Sequence, residues 1–242
     1  MRMAIMAVII TLGYWAPWTG DWGLGRRIPL WAWLAFTLSR LGLVSVAVAT
    51  PLVIVIAALI AAKGAVLRVW GVAYLGSATV LHHQMKAGPL IAGGPYRYVR
   101  NPLYIGLWAT TAAMAFLMPP TGALFVLIAV LLFLLRIVLG EEAFLSGQLG
   151  QPYLDYLRAV PRLIPRLRTT LPPNASKPRW LHAVLSEINP IGVFIILAFL
   201  SWNYDNQLMV RAIIVCFGLS LIVRALLSGA RQQAAPAIAK PE

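Results

Sequence analysis

Two short polar stretches carry the side chains best suited to chemistry, and a long apolar sequence separates them. Residues 93–106 read GGPYRYVRNPLYIG, and Glu141 and Glu142 follow the apolar run 123–139. Arginines in a loop bind carboxylates or phosphates, whereas a pair of carboxylates binds cations. The two stretches together therefore predict a site for a ligand that carries both charges.

The loop is expected to end at the start of a helix. Proline suits the first helical position, so Pro102 marks that start, and Asn101 is suited to cap it. The free N–H groups of a helix N-terminus attract anions, and Arg97 and Arg100 lie directly before it. Gly106, in the second turn, permits close approach by a ligand or by another helix.

The glutamate pair is expected to return to this helix start. A neutral turn at 119–122 joins the apolar runs 103–118 and 123–139, which predicts a helical hairpin. Arg100, Tyr104 and one of the two glutamates would then converge. Such a site complements a zwitterionic amino acid, for example the methionine end of S-adenosylmethionine, because the arginine takes the carboxylate and the glutamate takes the ammonium group. The alternative is a solvated helix end paired with Arg136.

The composition places these elements in a membrane. The chain has 242 residues, of which 60% are hydrophobic and 11% are charged, which is typical of a polytopic membrane protein. The net charge of +13 comes from residues that lie mostly between the apolar runs, so it indicates cytoplasmic loops beside anionic lipid rather than nucleic-acid binding. Cys216 is the single cysteine, which excludes an intrachain disulfide and a metal site built from cysteines.

The pattern predicts an all-α membrane protein with six transmembrane helices, or seven if residues 3–16 also cross. The six expected spans are 34–62, 65–82, 103–118, 123–139, 189–203 and 207–228. A break is expected at Lys63 and Gly64. The basic loops 83–102 and 141–188 would face the cytoplasm, which leaves Lys63 and Arg68 as exceptions on the outer side.

Three motifs together resemble one family. They are GPYRYVRNPLYIG at 94–106, the glutamate pair at 141–142, and LGQPYLDYLRAVPRLIPR at 149–166. In this order they resemble the isoprenylcysteine carboxyl methyltransferase and phospholipid methyltransferase family, over about residues 80–166. The resemblance implies an integral membrane methyltransferase that uses S-adenosylmethionine, with the cofactor near the cytoplasmic face. A hydrophobic or prenylated acceptor would enter between helices.

The resemblance also assigns residues. Arg100 and Tyr104 take the catalytic positions, and Tyr153 and Tyr156 match the helix that follows the glutamates. The cofactor-binding positions are Tyr96, Tyr98, Arg100, Asn101, Pro102, Tyr104, Glu141 and Glu142. Asn101 stands where the family usually has a histidine, so this position cannot titrate near neutral pH. His82 or His83 falls near a histidine that the family often places upstream.

The sequence divides into three regions: N-terminal membrane helices over 1–80, a methyltransferase core over 81–168, and a linker with a C-terminal helical hairpin over 169–242.

The acceptor group can be a carboxylate or an amine, and the sequence does not choose between them. It does not determine the oligomeric state either. One alternative is an NADPH-dependent sterol or steroid reductase, whose similar loop usually has an acidic residue where this chain has Leu107. The other is a transporter or structural membrane protein, in which Arg100 and Glu141 would tolerate alanine.

Overall fold

The computed structural model describes residues 2–15, 28–75, 93–169, 171 and 177–234, and His82 and His83 lie outside them. Within these ranges the chain is helical and contains no strand. The helices are α1 (Arg2–Trp15), α2 (Leu30–Arg40), α3 (Val46–Leu75), α4 (Pro102–Ala115), α5 (Pro120–Leu149), α6 (Gln151–Ala159), α7 (Trp180–Ser186), α8 (Ile188–Ile195) and α9 (Asn206–Ala234). A short 3₁₀ turn, Gly94–Arg97, precedes α4, and a π-helical turn, Ile196–Leu200, extends α8.

Three of these helices are long and apolar enough to cross a membrane: Val46–Leu75, Pro120–Leu149 and the Asn206–Leu226 part of α9. A bent pair, Trp180–Ser186 with Ile188–Asn203, adds a fourth if its two parts form one span with a 70° bend. The prediction of an all-helical membrane protein is confirmed, whereas the described residues give three or four candidate spans rather than six or seven. One reason is α4, whose 14 residues extend only about 21 Å.

The predicted break at Lys63 and Gly64 is wrong, and so are the two spans 34–62 and 65–82. The chain turns instead between Arg40 and Val46, and α3 then runs unbroken through both residues. Glycine costs a helix about 1 kcal/mol relative to alanine, but here its missing side chain admits a neighbour. A Cβ on Gly64 would lie 2.9 Å from the backbone nitrogen of Thr110 in α4. Lys63 is exposed, which keeps its charged end out of the helix contact.

Helices α3 and α4 pack closely against each other beside the loop, where each helix has a glycine at the contact. A Cβ on Gly106 would lie 2.7 Å from Cγ of Arg68 and 3.0 Å from the carbonyl oxygen of Gly64. Gly106 and Gly64 therefore face each other across the helix crossing, as small residues do where membrane helices approach closely. Of the two uses expected for Gly106, approach by another helix is confirmed.

The hairpin of α4 and α5 forms as predicted, but α5 does not end at Gly140. It continues to Leu149, and the chain reverses at Gly150, whose φ of +60° suits glycine. Residues 141–149 continue the helix because good helix formers follow the glutamates. Glu141 and Glu142 thus lie inside the helix, and they do not oppose its C-terminal dipole.

The C-terminal helices pack against α3 and α4 through a buried apolar cluster. Its members are Ala57, Ala61, Ala113, Leu117, Val193, Ile196, Leu197, Met209 and Ile213. At the break between α7 and α8, the buried Glu187 binds Arg68 of α3. Arg68 Nη1 also donates to the carbonyl oxygen of Leu103, at 3.4 Å. The expected placement of Arg68 on the side opposite the loop is therefore wrong, because Arg68 lies at the same end of the bundle as the loop.

Candidate active site

The loop before α4 is shaped by glycine and proline. Gly94 has a φ of +52°, and a Cβ there would lie 2.6 Å from Cε2 of Tyr74, so the turn packs directly on α3. Pro102 occupies the first turn of α4, as predicted. Asn101 precedes it but makes no capping bond, so that prediction is wrong. Its side-chain nitrogen instead lies 3.3 Å from Oε1 of Glu142 and 3.3 Å from the carbonyl oxygen of Arg162.

Glu142 lies at the centre of the site and contacts two arginines. Arg100 Nη1 is 3.0 Å from Oε1 of Glu142, and the two side chains are only 12% and 7% exposed. Arg162 reaches the other oxygen, Oε2, with Nη2 at 2.8 Å and Nε at 3.0 Å. The predicted convergence of a guanidinium and a glutamate is therefore present. The alternative of a solvated helix end paired with Arg136 is wrong, since Glu142 is buried.

Arg162 reaches the site because the chain after α6 folds back over the loop. The backbone N–H of Arg100 donates to the carbonyl oxygen of Pro161 at 2.9 Å, and that of Arg166 donates to the carbonyl oxygen of Tyr98 at 3.0 Å. The hydroxyl of Tyr156 in α6 donates to the carbonyl oxygen of Tyr96 at 2.9 Å. These three bonds fix residues 156–166 onto the loop.

Glu141 and Tyr104 form a second polar pair, one residue away from Glu142. The Tyr104 hydroxyl donates to Oε1 of Glu141 at 2.7 Å. The hydroxyl of Tyr96 is buried without a hydrogen-bond partner in the described structure, and Tyr104 and Glu141 are among the groups close enough to affect its pKa. The site therefore has two parts, the Arg100–Glu142–Arg162 cluster and the Tyr104–Glu141 pair.

The phenols of Tyr153 and Tyr156 stay neutral at physiological pH. Burial raises the pKa of Tyr153 to about 12, and the carboxylate of Glu142 acts in the same direction. Burial also raises the pKa of Tyr156, whose ring centroid lies 5.8 Å from that of Tyr153. The hydrogen bond to Glu142 raises the pKa of Arg162, which therefore keeps its charge. Tyr153 and Tyr156 thus add no charge to the site.

An apolar groove leads to the Tyr104–Glu141 pair. Its volume is about 240 Å³, and it lies between α4 and α5. Residues along it include Tyr104, Trp108, Leu131, Leu134, Val138 and Leu163. The ring of Tyr104 lines the groove while its hydroxyl binds Glu141. The groove is therefore apolar along its length and has a phenol–carboxylate pair beside one end.

The remaining predicted residues lie at the edge of this arrangement. Tyr98 packs against Trp70 of α3, with ring centroids 6.1 Å apart. Pro102 is buried at the start of α4. Arg97 turns away from the glutamates and donates to the carbonyl oxygen of Leu171. Their places indicate that they shape the loop, whereas Arg100 and Asn101 provide the contacts to Glu142.

Comparison with known protein families shows what this region of the chain is similar to. Residues 52–151 match the family model of phospholipid methyltransferases. The matched segment includes Arg100, Tyr104, Glu141 and Glu142, and it confirms the resemblance that the motifs indicated. It supports a membrane methyltransferase. Comparisons with curated proteins and with solved structures gave no match.

Two arrangements around the site involve residues beyond the range 52–151 that the family model matches. Arg162 lies eleven residues beyond the matched range, and Glu187 lies farther along the chain. Arg162 belongs to the third motif, 149–166, and the structure places its side chain on Glu142. No local sequence pattern predicts the Arg162–Glu142 contact or the Arg68–Glu187 pair, because both contacts depend on how distant segments pack.

The polar groups of the site fit an amino-acid-like group. Arg100 Nε is buried without a hydrogen-bond partner in the described structure, as is the Tyr96 hydroxyl. Buried polar atoms usually have partners, so a ligand that reaches both atoms would satisfy them. A carboxylate suits the guanidinium groups of Arg100 and Arg162, and an ammonium group suits the glutamates.

Proposed function

We propose that the chain is an integral membrane methyltransferase that uses S-adenosylmethionine and methylates a lipid-like acceptor. The observation that carries this proposal is the buried Glu142 shared by Arg100 and Arg162, one residue from the Tyr104–Glu141 pair at the groove. The match to phospholipid methyltransferases supports the membrane methyltransferase part. Dependence on S-adenosylmethionine and the identity of the acceptor are proposals from the chemistry of the site.

The Arg100–Glu142–Arg162 cluster would hold the amino-acid end of the cofactor. Two guanidinium groups share one carboxylate, so the cluster has a positive charge to spare for the cofactor carboxylate. Glu142 is the partner for the cofactor ammonium group. When bound, the cofactor supplies a methyl group on a sulfonium. The contribution of the chain is alignment and the exclusion of water by the returning segment around Arg162.

The Tyr104–Glu141 pair would hold the head of the acceptor, while the apolar groove takes its hydrocarbon chain. A carboxylate beside the groove attracts an amine head in its ammonium form and repels a carboxylate head. An ammonium head has to lose a proton before its nitrogen can attack the methyl group, and Glu141 can accept that proton at its carboxylate. Of the two acceptors that the sequence left open, the amine fits this pair better.

Isothermal titration calorimetry of the purified protein in nanodiscs tests the cofactor assignment. Arg162→Gln and Glu142→Gln should each weaken S-adenosylmethionine binding by about tenfold or more, because each removes a charge-assisted hydrogen bond. Arg158→Gln is the matched control, since Arg158 is 75% exposed and pairs with Asp155 on the surface. Equal affinity for S-adenosylmethionine in the wild type and all three variants would reject the assignment. Binding of NADPH instead of S-adenosylmethionine would favour a reductase.

The acceptor assignment has its own test. Membranes that contain the protein are incubated with S-adenosylmethionine, and lipids that gain the mass of one CH₂ group are identified by mass spectrometry. Glu141→Gln should lower the rate of transfer to an amine lipid while the affinity for the cofactor stays near that of the wild type. A product methylated on a carboxylate would contradict the amine assignment, and a membrane extract without methylated lipid would contradict the enzyme reading.

A further inference from the structure

One segment outside the candidate spans carries very exposed apolar side chains. Residues 161–168, which we call the interfacial segment, follow α6 and have no helix or strand of their own. Ile164 is 81% exposed and Leu167 is 97% exposed. Exposed aliphatic side chains on helix faces are expected where a helix meets lipid, but this segment belongs to no such helix. Single exposed aliphatic side chains are common on protein surfaces, so the position and the charge of the segment decide what these two contact.

The position of the interfacial segment identifies that contact as the bilayer. Leu163 lines the apolar groove together with Val138 of α5, which is one of the candidate spans. Leu163 thus lies at the level of a transmembrane helix, and Ile164 follows it directly. The backbone bonds of Pro161 to Arg100 and of Arg166 to Tyr98 hold the segment at this level. Ile164 and Leu167 are consequently within reach of the lipid interface.

The charge of the interfacial segment selects the kind of lipid. Arg166 and Arg168 alternate with the apolar residues, and both side chains are exposed. Basic residues beside a membrane surface are attracted to anionic head groups. An arginine also matches the geometry of a phosphate better than a lysine does. Apolar and basic residues in alternation are the arrangement that an anionic interface binds.

We propose that the interfacial segment sits in the head-group layer of an anionic bilayer, with Ile164 and Leu167 in the acyl boundary and Arg166 and Arg168 on phosphates. This contact does not depend on the proposed function. Arg162 belongs to the same segment, so the lipid contact also stabilises the arrangement in which Arg162 binds Glu142.

Fluorescence of a labelled cysteine tests the lipid contact in the whole protein without cofactor. Leu167→Cys is made in a Cys216→Ala background, labelled with the environment-sensitive dye NBD, and placed in nanodiscs of phosphatidylcholine alone or mixed with phosphatidylglycerol. The expected result is a shift of the emission to shorter wavelength and protection from an aqueous quencher when phosphatidylglycerol is present. Arg166→Gln combined with Arg168→Gln should remove this dependence on lipid charge.

Two reference positions calibrate the dye. A label at Leu132, which is exposed on α5, should report the acyl region in both lipid mixtures, and one at Asp155, which is exposed on α6, should report water. A Leu167 label that reports water in both mixtures would overturn the proposal. A signal that reports lipid but is identical in both mixtures would overturn it too, because the arginines would then have no role. Neither result depends on whether the chain methylates lipid.

Discussion

Arg100 and Arg162 bind opposite oxygens of the same carboxylate, that of Glu142. Arg100 Nη1 lies 3.0 Å from Oε1, and Arg162 Nη2 lies 2.8 Å from Oε2. Arg100 comes from the loop before α4, Glu142 from α5, and Arg162 from the segment after α6. One carboxylate therefore joins three parts of the chain, and a ligand that competes for either arginine acts on all three.

Glu142→Gln should destabilise the protein by about 3–5 kcal/mol, because removing one partner of a buried pair leaves the other charge uncompensated. The side chain of Arg100 is 12% exposed, so water can replace little of the lost interaction. Thermal unfolding in detergent, followed by the circular dichroism of the helices, measures the loss.

Asp155→Asn is the control for this substitution. It also removes a carboxylate from an arginine, but Arg158 and Asp155 are 75% and 61% exposed. Exposed pairs contribute about 0–1 kcal/mol, so the unfolding temperature should change little. Equal losses in the two variants would mean that Glu142 is not the centre of the site.

The convergence of Arg100 and Glu142 was predictable because it follows from local signals alone. Pro102 fixes the start of α4, and the prolines at 119 and 120 turn the chain into α5. Two antiparallel helices of hydrophobic sequence then return Glu142 to the loop. The error in the end of α5 did not disturb this result, since a helix that continues past Gly140 carries Glu142 on the same path.

Other features depended on distant packing. Lys63 and Gly64 resemble a break in a hydropathy profile, but the fold uses the glycine as the point of contact with α4. Arg162 reaches Glu142 only after a reversal at Gly150 and two backbone bonds to the loop. No pattern in the residues near 162 specifies those bonds, so the contact of Arg162 with Glu142 could not be predicted from the sequence.

Tyr104→Phe should lower turnover and leave the fold intact. The ring still lines the groove, but the hydrogen bond of 2.7 Å to Glu141 is lost. A bond to a charged group contributes about 1.5–3 kcal/mol, which corresponds to a loss of roughly tenfold to a hundredfold in kcat/KM for the acceptor. Tyr204→Phe is the matched control, because Tyr204 lies in the turn before α9 and packs on Trp31. Equal rates in the two variants would remove Tyr104 from the site.

Gly106→Ala should destabilise the protein by about 1–3 kcal/mol, since overpacking a tight contact forces the surrounding structure to shift. The added Cβ would lie 2.7 Å from Cγ of Arg68 and 3.0 Å from the carbonyl oxygen of Gly64. Gly140→Ala provides the opposite case. A Cβ on Gly140 meets nothing within 4 Å, so this variant should be neutral or gain up to about 1 kcal/mol from helix propensity. Thermal unfolding of both variants decides whether the α3–α4 crossing is as close as described.

A double-mutant cycle should detect strong coupling between Arg68 and Glu187. Arg68 Nε lies 2.5 Å from Oε2 of Glu187 and Arg68 Nη2 lies 2.8 Å from Oε1, with side-chain exposures of 16% and 3%. Either single substitution, Arg68→Met or Glu187→Leu, leaves a buried charge and should cost about 3–5 kcal/mol, whereas the double variant removes both charges and should lose much less than the sum. Additive losses would contradict the pairing.

The same variants also test whether the pair affects the site, because Arg68 donates to the carbonyl oxygen of Leu103, directly before Tyr104. A KM for the acceptor that rises in the double variant, while its stability is largely restored, would mean that Glu187, which lies outside the matched range 52–151, positions Tyr104 through Arg68.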